Sequence, residues 1–199
     1  RYEDLPAPAI ARERLNLQPK FTGVYTGHLY PGRGMDLLEG MARELPEMQF
    51  LWVGGQPQTV DAWRETVRNT GIDNITLTGF VENKNLALYQ AAGDVLLMPY
   101  ELSVSGSSGG NTADICSPMK MFEYMACGRA IVTSDLPVLH EVLNEKNAVF
   151  CPPEDLSAWI SVIRNLMKNP EAGIALGKQA RLDVQKYTWQ KRQEKILGG

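Results

Sequence analysis

Lys120 stands where a cation is least expected. The stretch Ser117-Pro118-Met119-Lys120-Met121-Phe122-Glu123-Tyr124-Met125-Ala126-Cys127-Gly128 reads as a short helix. Ser117 is a good N-cap, Pro118 suits the first helical position and Gly128 suits a left-handed stop. Lys120 then falls in the first turn, where the helix dipole and unpaired N–H groups are already positive. A capping box would put Glu or Gln there. A cation in that turn is unfavourable unless an anion joins it, and phosphate is an anion that helix N-termini hold. Glu123 lies one turn on, on the same face, where its carboxylate can accept bonds from sugar hydroxyls. The alternative for this pair is a solvated surface contact that adds little.

A second cation stands in Gly27-His28-Leu29-Tyr30-Pro31-Gly32-Arg33-Gly34. This run comes near the P-loop pattern, but Arg33 replaces its Lys and Gly34 replaces the hydroxyl that would hold magnesium. A P-loop NTPase is excluded, and the Gly-x-Gly-x-x-Gly dinucleotide spacing is lacking. Arg33 again precedes a helix N-terminus; the alternative is a solvent-facing turn residue. His28 is either structural or a donor to a phosphate or a transferred group. His140, on a later helix, reads as a surface residue.

The elements that must position these residues alternate regularly. Strands are expected at 21–27, 49–55, 74–80, 94–99, 131–134 and 148–151. Helices are expected at 9–15, 35–45, 60–69, 85–92, the 117–128 stretch, 137–143, 156–167, 172–184 and 189–197. This alternation means an α/β fold: a Rossmann-like doubly wound parallel sheet of about six strands, in the order 3-2-1-4-5-6, with helices on both faces. Strands one and four are then neighbours, and the crevice between their carboxyl ends is where ligands bind. Arg33 follows strand one and Lys120 follows strand four. Both face one crevice, an arrangement for a diphosphate, with Gly27 and Gly34 framing the loop that carries Arg33. Charge-assisted hydrogen bonds contribute about 1.5–3 kcal/mol each. Two of them are a large share of the about 8 kcal/mol of a micromolar affinity. The biased segment 103–111 is read as an active-site loop leading to Ser117, the alternative being a linker.

Composition narrows the class. The 199 residues carry a net charge of −3, which argues against a nucleic-acid binder held by phosphate contacts but leaves room for a local cationic pocket. No apolar run is long enough to span a bilayer, and no signal peptide is visible. The chain opens on Arg1 rather than Met and residues 1–8 are linker-like, so a piece of a longer protein is expected. Residues 1–16 form a lead-in and 17–199 the ligand-binding domain. Cys116, Cys127 and Cys151 make no CxxC pair or Cys/His cluster, so no metal is expected. Their odd number fits a reducing compartment, and Cys127 reads as packing.

The segments "TGHLYPGRGMDLL", "FLWVGG", "ITLTGFVENKNLALYQAAGDVLLMPY", "SPMKMFEYMACGRAIVTSDLPVLHEV" and "YTWQKRQEKIL" resemble, in their usual order, the nucleotide-binding half of retaining GT-B glycosyltransferases of group 1, family 4. The likeness runs from about residue 21 to 197. It implies roles position by position. Glu123 matches the second Glu of the Glu-x7-Glu motif, which holds the nucleotide ribose. Arg33 matches the Lys of the Arg…Lys pair that clamps the donor diphosphate, and His28 stands where that pair's Arg usually is. Phe80 and Val81 match the segment that lies against the base. Ser117, Pro118 and Met119 match residues whose backbone reaches donor phosphate or sugar. Two departures stand out. The motif's first Glu falls at Ile115, with Asp114 one residue off as a substitute if the loop is bulged, and the usual Gly-Phe-Gly run is replaced by Cys116-Ser117-Pro118. This looks like a subgroup with a longer loop, in which Lys120 takes on phosphate binding.

The resemblance implies metal-independent transfer of a hexosyl group from a UDP- or GDP-sugar, with retention and no cofactor. The acceptor, a sugar, lipid or glycan, would be held by an N-terminal domain absent from this chain, so the chain alone is expected to bind donor and transfer little. A cytoplasmic location follows, peripheral at the inner membrane surface if the other domain binds there. Two alternatives stay open: a nucleotide-sugar 2-epimerase on the same fold, which needs crevice carboxylates and histidines that this sequence is poor in, and a catalytically inactive nucleotide-binding module, favoured by the missing first Glu.

Overall fold

A computed structural model describes residues 2–102 and 119–187. Six parallel strands form one sheet in the order β3-β2-β1-β4-β5-β6, with β1 at Thr22–Thr26, β2 at Gln49–Val53, β3 at Ile75–Gly79, β4 at Val95–Met98, β5 at Ala130–Ser134 and β6 at Val149–Cys151. The expected order is the observed one. Every residue of β1, β2, β4 and β5 is buried, as a parallel sheet covered on both faces requires. The edge strand β3 is only half-buried.

Side-chain alternation along the strands divides the core in two. Val24, Leu51, Leu96 and Ile131 face one layer of helices. These are α1 (Pro8–Arg14), α4 (Asn83–Ala91), α5 (Met119–Cys127) and α7 (Pro170–Val184). Tyr25, Phe50, Trp52, Leu97 and Val132 face the other layer, built of α2 (Met35–Glu44), α3 (Pro57–Thr70) and α6 (Leu156–Lys168).

Boundaries shift where periodicity is weak. The helix expected to start at residue 60 starts at Pro57, with proline in its first turn; that turn is exposed and carries no apolar signal. The helix expected at 137–143 is a 3-10 turn over Pro137–Glu141. The closing helix expected at 189–197 and the loop at 103–111 lie outside the described residues.

The lead-in is packed on the domain. Ala11 is fully buried, and the Tyr2 hydroxyl donates to Gln90 Oε1 at 2.8 Å. Arg129 donates to the carbonyl of Pro6 at 2.7 Å. Beneath it, at the amino ends of β1 and β4, Arg12 pairs with Asp94 at 2.8 Å, and Asp94 also accepts the Thr22 N–H at 2.8 Å. Among the described residues no helix is long and apolar enough to cross a membrane.

Candidate functional site

At the opposite ends of the same strands, the loops after β1 and β4 meet. Gly34 caps α2 with φ 68°, and a Cβ there would lie 1.8 Å from the carbonyl oxygen of Pro99. Only glycine lets the two loops approach so closely. The Gly34 N–H donates to Glu101 Oε1 at 3.1 Å, so that donor already has a carboxylate acceptor. Gly27 has φ 139°, and a Cβ on it would sit 3.1 Å from Lys120 Nζ.

Helix α5 is aimed at this junction by Tyr124. Its buried hydroxyl accepts the Thr26 N–H at 2.9 Å and donates to the Leu97 carbonyl at 3.3 Å, tying the helix to the ends of β1 and β4. Burial pushes the Tyr124 pKa up, so it remains a neutral donor.

The two cations singled out from sequence meet here. Lys120 Nζ lies 4.1 Å from the centre of the Tyr25 ring and 5.2 Å from that of Tyr100. Arg33 Cζ lies 5.5 Å from the same Tyr100 ring and 5.3 Å from Tyr30. Arg33 also donates to the Tyr30 hydroxyl at 3.3 Å. Among the described residues, neither cation forms an ion pair with a carboxylate. Desolvation first, and then the nearby Arg33 charge, bring Lys120 down to a pKa of about 7, with Glu123 acting in the opposite sense. Lys120 is half-buried and its ammonium rests on the Tyr25 and Tyr100 rings.

Beside the cations opens a cleft of about 440 Å³, lined by Gly27, His28, Phe80, Val81, Lys120 and Glu123, and by Gly54 and Gly55 at the end of β2. A Cβ on Gly54 would be 2.4 Å from the Gly27 carbonyl oxygen, so this pair keeps the floor low. Phe80 stands at the mouth, 81 % exposed. His28 is exposed and stacked on Tyr30, ring centres 5.1 Å apart. Arg33 and Gly34 do not line this cleft. Gly34 borders a neighbouring cavity of about 320 Å³ with Asp36, Glu101 and Glu154. Met119 is the exposed first residue of α5. Ser117, Pro118, Asp114 and Ile115 lie outside the described residues.

Sequence reasoning missed Tyr25, Tyr100 and Tyr124. Tyr25 and Tyr124 occupy core positions of a strand and a helix, where an aromatic reads as packing; Tyr100 ends a segment that carries the family resemblance, but the resemblance assigns it no role. The remaining candidates are bland. His140 pairs with Asp135 at 2.6 Å and stacks on Phe150. Cys127 and Cys151 are buried thiols raised by desolvation to about 12. Among the described residues no group of three or more His, Cys, Asp or Glu is placed to hold a metal.

What such a site can do follows from its parts. Two cations in a poorly solvated crevice attract an anion more strongly than in water. Glycine-floored walls admit a flat group, and Glu123 offers an acceptor between the two.

The family described as glycosyl transferases group 1 matches residues 20–169. The sulfoquinovosyl transferase SQD2 of Arabidopsis thaliana is 24% identical over 177 residues, covering 87% of this chain and 32% of that protein. Sucrose-phosphate synthase from Thermosynechococcus elongatus superposes with a TM-score of 0.78 at 26% identity, over 97% of this chain and 48% of that one. Anabaena HepE, solved with UDP-glucose, shares the fold with a TM-score of 0.77 at 15% identity, over 96% of this chain and 52% of its own. The chain thus spans about a third of the length of the first curated relatives it matches.

Proposed function

The chain belongs to the group 1 glycosyl transferases, and on that premise we propose that its crevice binds the nucleoside diphosphate sugar donor of a hexosyl transfer. Lys120 and Arg33 take the diphosphate, Glu123 the ribose, and the edge at Phe80 and Val81 the base. Gly27 and His28 border the phosphates, and Ser117, Pro118 and Met119 are assigned to the donor phosphate or sugar on the family resemblance. The observation that carries this reading is the convergence of Lys120 and Arg33 on the Tyr100 ring, at the switch point between β1 and β4, with no carboxylate in ion-pair contact among the described residues.

In the reaction, charge builds on the departing diphosphate as the glycosidic bond breaks. Prepositioned cations and the α5 N-terminus stabilise that charge without reorganising, which supports a metal-independent transfer; retention is what the family resemblance implies. The structure of HepE in complex with UDP-glucose supports a UDP-linked donor for this fold. The epimerase alternative has little to draw on, since His28 and Glu123 are the cleft's histidine and carboxylate among the described residues. The acceptor is held outside this chain, which by itself transfers little sugar.

Calorimetry with UDP, GDP and ADP, each with magnesium and with EDTA, tests the reading. One of the three should bind in the micromolar range and be indifferent to EDTA. Binding of none would discard the proposal. The anomeric configuration of the product formed by the full-length protein, followed by NMR, tests retention.

A further inference from the structure

We propose that Tyr100 is a positioning residue that holds Lys120 and Arg33 on one ring without cancelling either charge. The inference rests on the donor-binding reading above and adds to it a residue that touches neither motif. Lys120 Nζ and Arg33 Cζ lie 5.2 and 5.5 Å from the Tyr100 ring centre. The ring itself is fixed. Tyr100 is 6 % exposed, its carbonyl accepts the Ser134 hydroxyl of β5 at 2.6 Å, and its N–H donates to Met98 at 3.1 Å. Tyr25 supports the same cation from below: its ring lies under Lys120, and its hydroxyl donates to the His28 carbonyl at 2.6 Å.

The choice of partner matters. A carboxylate would also fix a cation, but it would occupy the N–H donors that a phosphate needs and neutralise the field. An aromatic face attracts a cation through its quadrupole and carries no net charge. The groups facing Lys120 are Tyr25 from β1, Arg33 from the following loop, Tyr100 from the loop after β4, and Glu123 from its own helix. Burial first, and then repulsion from Arg33, depress the Lys120 pKa. A shared ring offsets that repulsion while the site is empty, so the pair is preorganised when the anion arrives.

The test compares Tyr100→Leu and Tyr100→Met, which remove the ring, with Tyr100→Phe, which keeps it. Affinity is measured by calorimetry for whichever of UDP, GDP and ADP binds tightest, and for the matching nucleoside. The ring-less variants should lose tenfold or more for the diphosphate and less than twofold for the nucleoside, while Tyr100→Phe stays within twofold for both. The Met variant keeps the volume and provides the reading if the Leu variant fails to fold. Unchanged diphosphate affinity in a folded ring-less variant overturns the inference and leaves donor binding standing. Equal losses for diphosphate and nucleoside, or a Phe variant as weak as Leu, overturn it as well, because the role would then be general packing. Failure of the parent chain to bind all three diphosphates removes both this inference and the donor-binding reading.

Discussion

Arg12 at one end of β1 and β4, and Lys120 with Arg33 at the other, are cations held in opposite ways. Arg12 has a carboxylate partner: its Nη1 donates to Asp94 at 2.8 Å and to the Ala92 carbonyl at 2.9 Å. Nearby, Arg129 caps the Ala91 and Pro6 carbonyls. Lys120 and Arg33 rest on tyrosine faces, and among the described residues no carboxylate pairs with them. The first cluster is finished by the fold, and its Coulomb energy serves stability. The second carries charge that no carboxylate among the described residues meets, a cost to the empty protein that the tyrosine rings offset in part and an incoming anion offsets further. The contrast separates a structural cation from a binding cation by what each touches, not by residue type.

The largest effect that tests this contrast is at Arg12. Arg12→Ala leaves the half-buried Asp94 without its cation and should lower unfolding free energy by about 3 kcal/mol, measured by urea denaturation, while diphosphate affinity stays within twofold. A comparable loss of affinity would mean that the two ends are not independent.

Lys120 should behave in the reverse sense. Its pKa is about 7 in the fold against 10.5 for an ordinary lysine, so between those values the unfolded chain binds more protons and stability rises with pH. Lys120→Met removes a charge that is poorly solvated when the site is empty. Its melting temperature should exceed the parent's at pH 6 by a few degrees, about 1–2 kcal/mol, and the gap should narrow from pH 7 towards 10. The same variant should bind the diphosphate at least tenfold more weakly. A less stable variant at pH 6 would show that Lys120 is a structural cation after all.

Arg33→Ala should weaken the diphosphate about tenfold, about 1.4 kcal/mol, with the nucleoside affected much less; calorimetry with both ligands would read it. Equal losses would place Arg33 among the structural cations. The smallest effect is expected on the surface, where Arg64 pairs with Asp61 at 3.0 Å with both side chains exposed. Arg64→Ala should change stability by less than about 0.5 kcal/mol and affinity not at all. It sets the baseline for the other three.

Much of this was legible in the sequence because it is local or periodic. The buried strands are mostly apolar runs, and Gly128 takes up the left-handed position expected at the end of its helix. The weak amphipathic start of α3 and the 3-10 geometry of Pro137–Glu141 were not legible, since nothing in the spacing distinguishes them. The site divides along the same line. Arg33 and Lys120 stood out because a cation at a helix N-terminus contradicts local electrostatics. Tyr25 and Tyr100 contradict nothing locally, and so gave no signal.

The sequence by itself determined the order of elements, the parallel sheet and the two misplaced cations, because hydrophobic period and helix-end chemistry act over a few residues. Tertiary structure decided which surroundings those cations share. Strand order brings the ends of β1 and β4 together, Gly34 lets their loops touch, and only then do residues far apart in the chain meet on the Tyr100 ring. Contact between distant residues is set by packing geometry, which no stretch of the chain encodes alone.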